Sequence, residues 1–184
     1  MASVEYGRFL ACLKLHYSII NQKYMATGIH EKTLVLIKPD AIQRGLIGKI
    51  VERFERKGLK LVGMKMMALD EVLLREHYAH LADKPFFGGL AKFMQSTPVI
   101  AMAWEGLEVV DTVRKLCGIT KARSAEAGSI RGDFAMSVAC NVVHASDSVE
   151  NAEKEVGRFF RAEDLFSYDK SEFMHVYADD ERAE

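Results

Sequence analysis

Four side chains able to hold or transfer charge stand where one stretch of the sequence gives way to another. His144 ends an apolar run in NVVHASDSVE, residues 141–150, ahead of a charged helical pattern. Lys38 stands beside Pro39 after a second apolar run, Arg114 lies in the last turn of a helical stretch, and Arg131 follows a long loop in GSIRGD, residues 128–133. Neutral imidazole is a nucleophile near neutral pH, and lysine or arginine nearby would hold an anion for it. Taken singly, each has a plainer reading. Lys38 and Arg114 could be solvated surface charges, His144 a loop or core histidine, and Arg131 a partner for Asp133. Four such groups at element ends point instead to one shared anion-handling site. The glycine-rich phosphate cradles G-x-x-x-x-G-K-[ST] and G-x-G-x-x-G are absent, since GLIGK at 45–49 has the wrong spacing, and so is H-E-x-x-H. Phosphates bound here would be held by side chains. The Arg-Gly-Asp triplet at 131–133 is read as structural.

The elements that must position these groups follow from periodicity. Residues 33–37 are a β-branched apolar run, read as a buried strand that Pro39 stops. Ile47, Ile50, Val51 and Phe54 recur at helical spacing, with Gly58 as the C-terminal cap. Residues 61–69 read as a second strand, with Met64, Met66 and Met67 as core filler. Asp70 caps a helix carrying Leu73, Leu74, His77, Tyr78 and Leu81 on one side. A short helix opens at 85–89, a strand at 99–104 and a helix at 107–117. Residues 119–132 show no periodicity, as a functional loop would. Alternation over 134–143 predicts a last strand with His144 at its end. Asp147 and Glu150 then make a capping signature for a helix carrying Val149, Ala152, Val156, Phe159 and Phe160. Residues 179–184 are a charged, solvated tail. Setting aside the inserted helix pair and the C-terminal extension, the order is βαββαβ. That predicts an α+β, ferredoxin-like four-stranded antiparallel sheet.

Bulk properties exclude several classes. A length of 184 residues suits one domain, here 31–184, behind an N-terminal extension at 1–30 that lacks a clean signal-peptide core. Net charge is −1, which argues against nucleic acid as the main partner. Cys12, Cys117 and Cys140 are odd in number and form no C-x-x-C pair, so free thiols in a reducing, cytoplasmic compartment are expected. No apolar run approaches the ~18–20 residues that cross a bilayer.

The segments IKPDAIQRGL (37–46), EHY (76–78), KPFF (84–87), PVIAMAWEG (98–106), IRGD (130–133) and NVVHASDSVE (141–150) closely resemble nucleoside diphosphate kinase, in order and over about 31–177. The resemblance implies a ping-pong phosphotransferase that maintains nucleotide pools with broad base and sugar tolerance. His144 would carry the phosphoryl group between a nucleoside triphosphate and a nucleoside diphosphate. It further implies that Lys38 touches the sugar hydroxyls and the transferred phosphoryl, that Tyr78 lines the site, and that His77 approaches the α-phosphate. Arg114, Thr120 and Arg131 would hold the β- and γ-phosphates, and Asn141 the ribose 3′-OH. Phe86 and Val138 would sandwich the base, Glu155 would orient His144, and Ser146 would support that contact. Mg²⁺ would arrive on the nucleotide phosphates, with Asp147 the nearest carboxylate, acting through water. A homo-oligomer is expected, a hexamer ahead of a tetramer. Ala145 replaces the glycine that many relatives have after the histidine, and the loop at 121–127 lacks prolines that many carry there. A scaffold paralogue without turnover is the rival reading, although no site residue is lost.

Overall fold

The computed structural model describes residues 31–181; the expected extension at 1–30, Cys12 included, and the last three residues lie outside them. Strand β1 spans Lys32–Ile37 and is followed by a short helix α1, Pro39–Gln43. Proline therefore does end the strand, but it also opens a helix, because its fixed φ suits the first helical position, where no N–H is needed. Helix α2, Ile47–Arg56, leads into β2, Lys60–Met67. Gly58 makes that passage at φ +93°, and a Cβ there would sit 2.5 Å from Val176 Cγ1. Helix α3, Glu71–His77, is capped by Asp70, whose carboxylate accepts from Leu73 N at 2.7 Å. A 3₁₀ turn at Ala79–Leu81 and helix α4, Phe87–Met94, complete the insertion. Strand β3, Val99–Glu105, and helix α5, Val109–Cys117, follow.

The four strands form one antiparallel sheet in the order β2-β3-β1-β4, the ferredoxin-like arrangement expected. The central strands are buried on both faces, so their alternation sorts apolar residues into two cores. Val35, Ile37, Ile100, Met102 and Trp104 face α2 and α5, packing on Ile50, Phe54, Val109 and Val113. Leu34, Leu36, Val99, Ala101 and Ala103 face the other way, onto Leu74, Phe87, Met94, Val156 and Phe159. Among the described residues, no helix is long and apolar enough to cross a membrane.

The C-terminal half departs from expectation. The aperiodic stretch contains a 3₁₀ turn, Ala122–Ser124, and the start of helix α6, Ile130–Phe134, capped by Ser129. Residues 134–143 do not form a strand. Met136 and Val138 are largely exposed, and the backbone is tied by side chains instead, with Ser137 Oγ accepting from Ala139 N and Cys140 N. Strand β4 is only Val143–Ala145, so His144 lies at its centre. Helix α7, Val149–Phe159, is capped by Ser148, which accepts from Asn151 N at 3.2 Å, and not by Asp147. Asp147 instead takes Asn151 Nδ2 at 2.7 Å. After α7 the chain runs back along β2, where Phe166 N donates to Val62 O and Tyr168 Oη to Leu61 O.

Glu105 binds the end of the sheet together. It stands opposite Lys32 on β1 and Lys60 on β2, and pairs with both at 3.0 Å. Burial alone would raise its carboxyl pKa, but bonds from the two lysines hold it below the usual range. Lys60 and Glu105 are only 6% and 5% exposed, so truncating one leaves the other as a buried charge. Glu105→Ala is expected to lower unfolding stability by about 3–5 kcal/mol, read from urea denaturation at pH 7.

Candidate functional site

Register fixes where His144 points. It pairs with Leu36, so it shares Leu36's face and meets α7 and α3, while Val143 joins the opposite core with Ile37. Ser146, two residues on, faces the same way. Glu155 on α7 lies over both: His144 Nε2 is 3.2 Å from Glu155 Oε2, and Ser146 Oγ donates to that oxygen at 2.6 Å. Ser146 is itself fully buried and tied to β1, its Oγ accepting from Leu34 N at 3.2 Å. Burial would raise the Glu155 carboxyl pKa, yet the hydrogen bonds and charge of His144 and the Ser146 bond bring it below the ordinary value. A carboxylate is thus held ionised beside a 19% exposed imidazole side chain.

The end of α3 closes the back of the ring. His77 stands edge-on to His144, with ring centroids 4.5 Å apart, and also meets Tyr78 and Phe159. Its side chain is completely buried, and burial, then the charge of His144, lowers its pKa to about 3. A neutral ring sealed behind His144 has no surface to offer an α-phosphate. That assignment is corrected: His77 packs under the site and does not line its mouth. The Tyr78 hydroxyl is buried without a hydrogen-bond partner among the described residues, and burial followed by the charge of Glu155 raises its pKa.

A cationic wall stands on the other side. Lys38 Nζ donates to Asn141 Oδ1 at 2.6 Å, and Asn141 Nδ2 donates to the carbonyls of Thr120 and Val138. One amide therefore links the end of β1 to the long loop and to the irregular segment. Burial and then the nearby charge of Arg131 lower the Lys38 pKa to about 8. Arg131 does not pair with Asp133. It donates to the carbonyls of Gly118 and Val143, and its pKa is lowered first by burial, with Arg114's charge adding to the depression. Asp133 is taken by Arg53 and by Gly128 N, which anchors the loop to α2. The structure thus sets aside the reading of Arg131 as a partner for Asp133.

His144, Glu155, Ser146, Tyr78, Lys38, Asn141 and Arg131 are brought together, with His77 behind them. Arg114 and Thr120 are exposed beside this group, and Asp147 is exposed at the start of α7. Phe86 and Val138 are 57% and 52% exposed, and Val138 is tied to this group through its carbonyl, which accepts from Asn141 Nδ2. Sequence reasoning passed over Asp40 and Val142, which hold the turn before β4. Asp40 reads as an ordinary carboxylate after a strand-ending proline, and a valine carries no signal of unusual backbone.

The family model described as Nucleoside diphosphate kinase matches residues 31–165. The chain is 53% identical over 151 residues to "Nucleoside diphosphate kinase" of Parabacteroides distasonis, covering 82% of this chain and 99% of that protein. It is 54% identical over 138 residues to human "Nucleoside diphosphate kinase A", covering 75% and 91%. Among solved structures it is similar to the halophilic nucleoside diphosphate kinase of Halobacterium salinarum in complex with CDP. That match has TM-score 0.79 and 47% identity, over 81% of this chain and 99% of the other.

Removing the Ser146 hydroxyl strands a buried backbone N–H and one lobe of a carboxylate. Ser146→Ala is expected to cost about 1–3 kcal/mol at pH 7. Glu155's folded pKa is depressed, so its contribution is present above the unfolded carboxyl range and lost as pH falls through the folded value. The difference between variant and parent in urea denaturation should therefore shrink in acid.

Proposed function

The chain belongs to the nucleoside diphosphate kinase family, and on that footing we propose that it moves a γ-phosphoryl group from a nucleoside triphosphate to a nucleoside diphosphate through a phosphohistidine on His144. The observation that carries this reading is the contact between His144 Nε2 and Glu155 Oε2 at 3.2 Å. An ionised carboxylate there accepts from Nε2–H, keeps the proton on that nitrogen and leaves the lone pair on Nδ1. In the first half-reaction Nδ1 attacks the γ-phosphorus, an N–P bond forms, and the bond to the β–γ bridging oxygen breaks. The diphosphate leaves with that electron pair, and Glu155 offsets the positive charge on the ring. In the second, a terminal oxygen of the acceptor's β-phosphate attacks the same phosphorus and the N–P bond breaks, restoring neutral imidazole.

The remaining residues position and neutralise, which is most of what phosphoryl transfer asks of a protein. Lys38 meets the sugar hydroxyls and the transferred group, Arg114, Thr120 and Arg131 hold the β- and γ-phosphates, and Asn141 takes the ribose 3′-OH. Tyr78 lines the pocket. Phe86 and Val138 grip the base by its faces, which every base possesses, so base and sugar tolerance should be broad. Such an enzyme would keep nucleoside triphosphate pools balanced. Mg²⁺ enters as part of the nucleotide substrate. It would neutralise phosphate charge, and Asp147, one carboxylate oxygen of which is engaged by Asn151, would be the side chain to hold it, through water.

We read residues 31–184 as the kinase domain, a cytoplasmic subunit of a homo-oligomer, a hexamer in preference to a tetramer. The outer strand β2 supports assembly: the chain's own C-terminal segment bonds at Leu59–Val62, while Met64 and Met66 beyond it are exposed.

Incubated with γ-labelled ATP and Mg²⁺, the protein should take up label that is acid-labile and base-stable, and release it to UDP or GDP. His144→Ala should take up none and lose exchange by at least about 10⁴-fold while remaining folded. Nucleotide binding without label in the parent protein would support a scaffold role instead.

The pH dependence of nucleotide affinity has a definite sign. Lys38 titrates near 8 in the free protein, and a bound phosphate favours its charged form. Affinity for ADP should be full below about pH 8 and fall as pH rises beyond it. Lys38→Gln should bind more weakly and lose that fall, which calorimetric titration from pH 7 to 9.5 would resolve.

A further inference from the structure

Immediately before β4 the chain passes through a turn of unusual geometry. Val143 N donates to Asn141 O at 2.8 Å, closing a three-residue ring, and Val142 at its centre has φ +64°. A positive-φ γ-turn is rare and strained. A β-branched residue at positive φ is an outlier in its own right. The turn is nevertheless sealed, with Val142 completely buried and Asn141 1% exposed. Both polar groups of Val142 are claimed by one neighbouring segment. Its N–H donates to Asp40 Oδ2 at 3.0 Å, and its carbonyl accepts from Lys38 N at 2.9 Å. Asp40 lies in the first turn of α1, and its second oxygen, Oδ1, is buried without a hydrogen-bond partner among the described residues.

We propose that Asp40 is a positioning residue that acts through the Val142 amide, holding the γ-turn shut and so placing Asn141 and His144 together. The turn reverses the chain within three residues. On its near side the Asn141 amide reaches Lys38, Thr120 and Val138. On its far side Val143 enters register with Ile37, which aims His144 at Glu155. Without the Asp40 acceptor the buried Val142 N–H loses its partner, and the strained φ is opposed only by the turn's own bond and by Lys38 N on the carbonyl. Relaxation of the turn would then displace Asn141 and His144, which flank it on either side. Strain held by a surrounding that over-determines it is what pre-organisation at a functional site requires.

The test separates the acceptor bond from the negative charge. Asp40→Asn keeps an oxygen acceptor for Val142 N and loses the charge; Asp40→Glu keeps the charge and displaces the acceptor. Both are measured at pH 6.5, below the titration of Lys38, so that Lys38 stays charged in each. Asp40→Asn should keep kcat and KM within about threefold of the parent. Asp40→Glu should lose kcat by roughly ten- to a hundredfold, the scale of a misplacement of about an ångström. KM for the diphosphate should rise with it, because both site residues move. Equal impairment of the two variants, or full activity in Asp40→Glu, overturns the proposal. The inference rests on the phosphohistidine reading only for this activity readout. Hydrogen exchange of the Val142 amide gives a second one: exchange at least about tenfold faster in Asp40→Glu than in Asp40→Asn supports the proposal, and equal exchange overturns it, whatever reaction the protein performs.

Discussion

A side chain on an extended strand has two directions to choose from, and pairing register chooses between them. Leu36 opposite His144 is the pairing on which the site depends. Slipped by one residue, β4 would turn His144 into the core beneath α2 and α5 and present Val143 to Glu155. Nothing in a strand as short as Val143–Ala145 would resist that slip by itself. The resistance comes from its ends. The Val142 carbonyl is held by Lys38 N, and Ser146 exchanges bonds with Leu34 through both its N–H and its hydroxyl. The three-residue strand is pinned at both sides, and its one polar side chain is delivered to α7.

The charges around that strand are arranged against their own comfort. Lys38 and Arg131 are both buried and both held below their ordinary pKa values, Lys38 in part by Arg131's charge and Arg131 in part by Arg114's. Glu155 is half-buried, but its stabilising bonds outweigh burial. The protein thus keeps its cations under-compensated and its anion well compensated. On the proposed reading an arriving phosphate would meet donors already desolvated and fixed, which is the condition under which electrostatic stabilisation is strongest. The far end of the sheet shows the opposite arrangement, with Glu105 bonded by two lysines.

The sheet and its longer helices were legible in the sequence because their signals are periodic and repeated. β1, β3 and α2 carry several apolar residues each at strand or helical spacing, and Asp70 caps where a cap was expected. Short elements were not legible, since five residues span little more than one turn. α1 and α6 were missed for that reason. The apparent strand at 134–143 was an alternation that meets the core only at its ends, with Met136, Val138, Ala139 and Cys140 exposed between. The cap of α7 fell on Ser148 because Asp147 turned its side chain to Asn151. A motif gives residue identity without depth. His77 beside Tyr78 in EHY looks like a ligand-facing pair, and only packing against Phe159 shows that one of them points inward.

The sheet order also has a bearing on how the chain is made. β1 emerges from the ribosome first and β4 nearly last, yet they are neighbours, with Leu34 and Ser146 separated by 112 positions. At translation rates of about 5–20 residues per second, one edge of the central strand stays unpaired for roughly 6–22 s. β2 and β3 can join β1 during that interval, whereas His144 and the strand that carries it have not yet been synthesised. The edge of β1 that will receive β4 is thus the last in the sheet to be paired, and His144 meets Glu155 only after the other three strands exist.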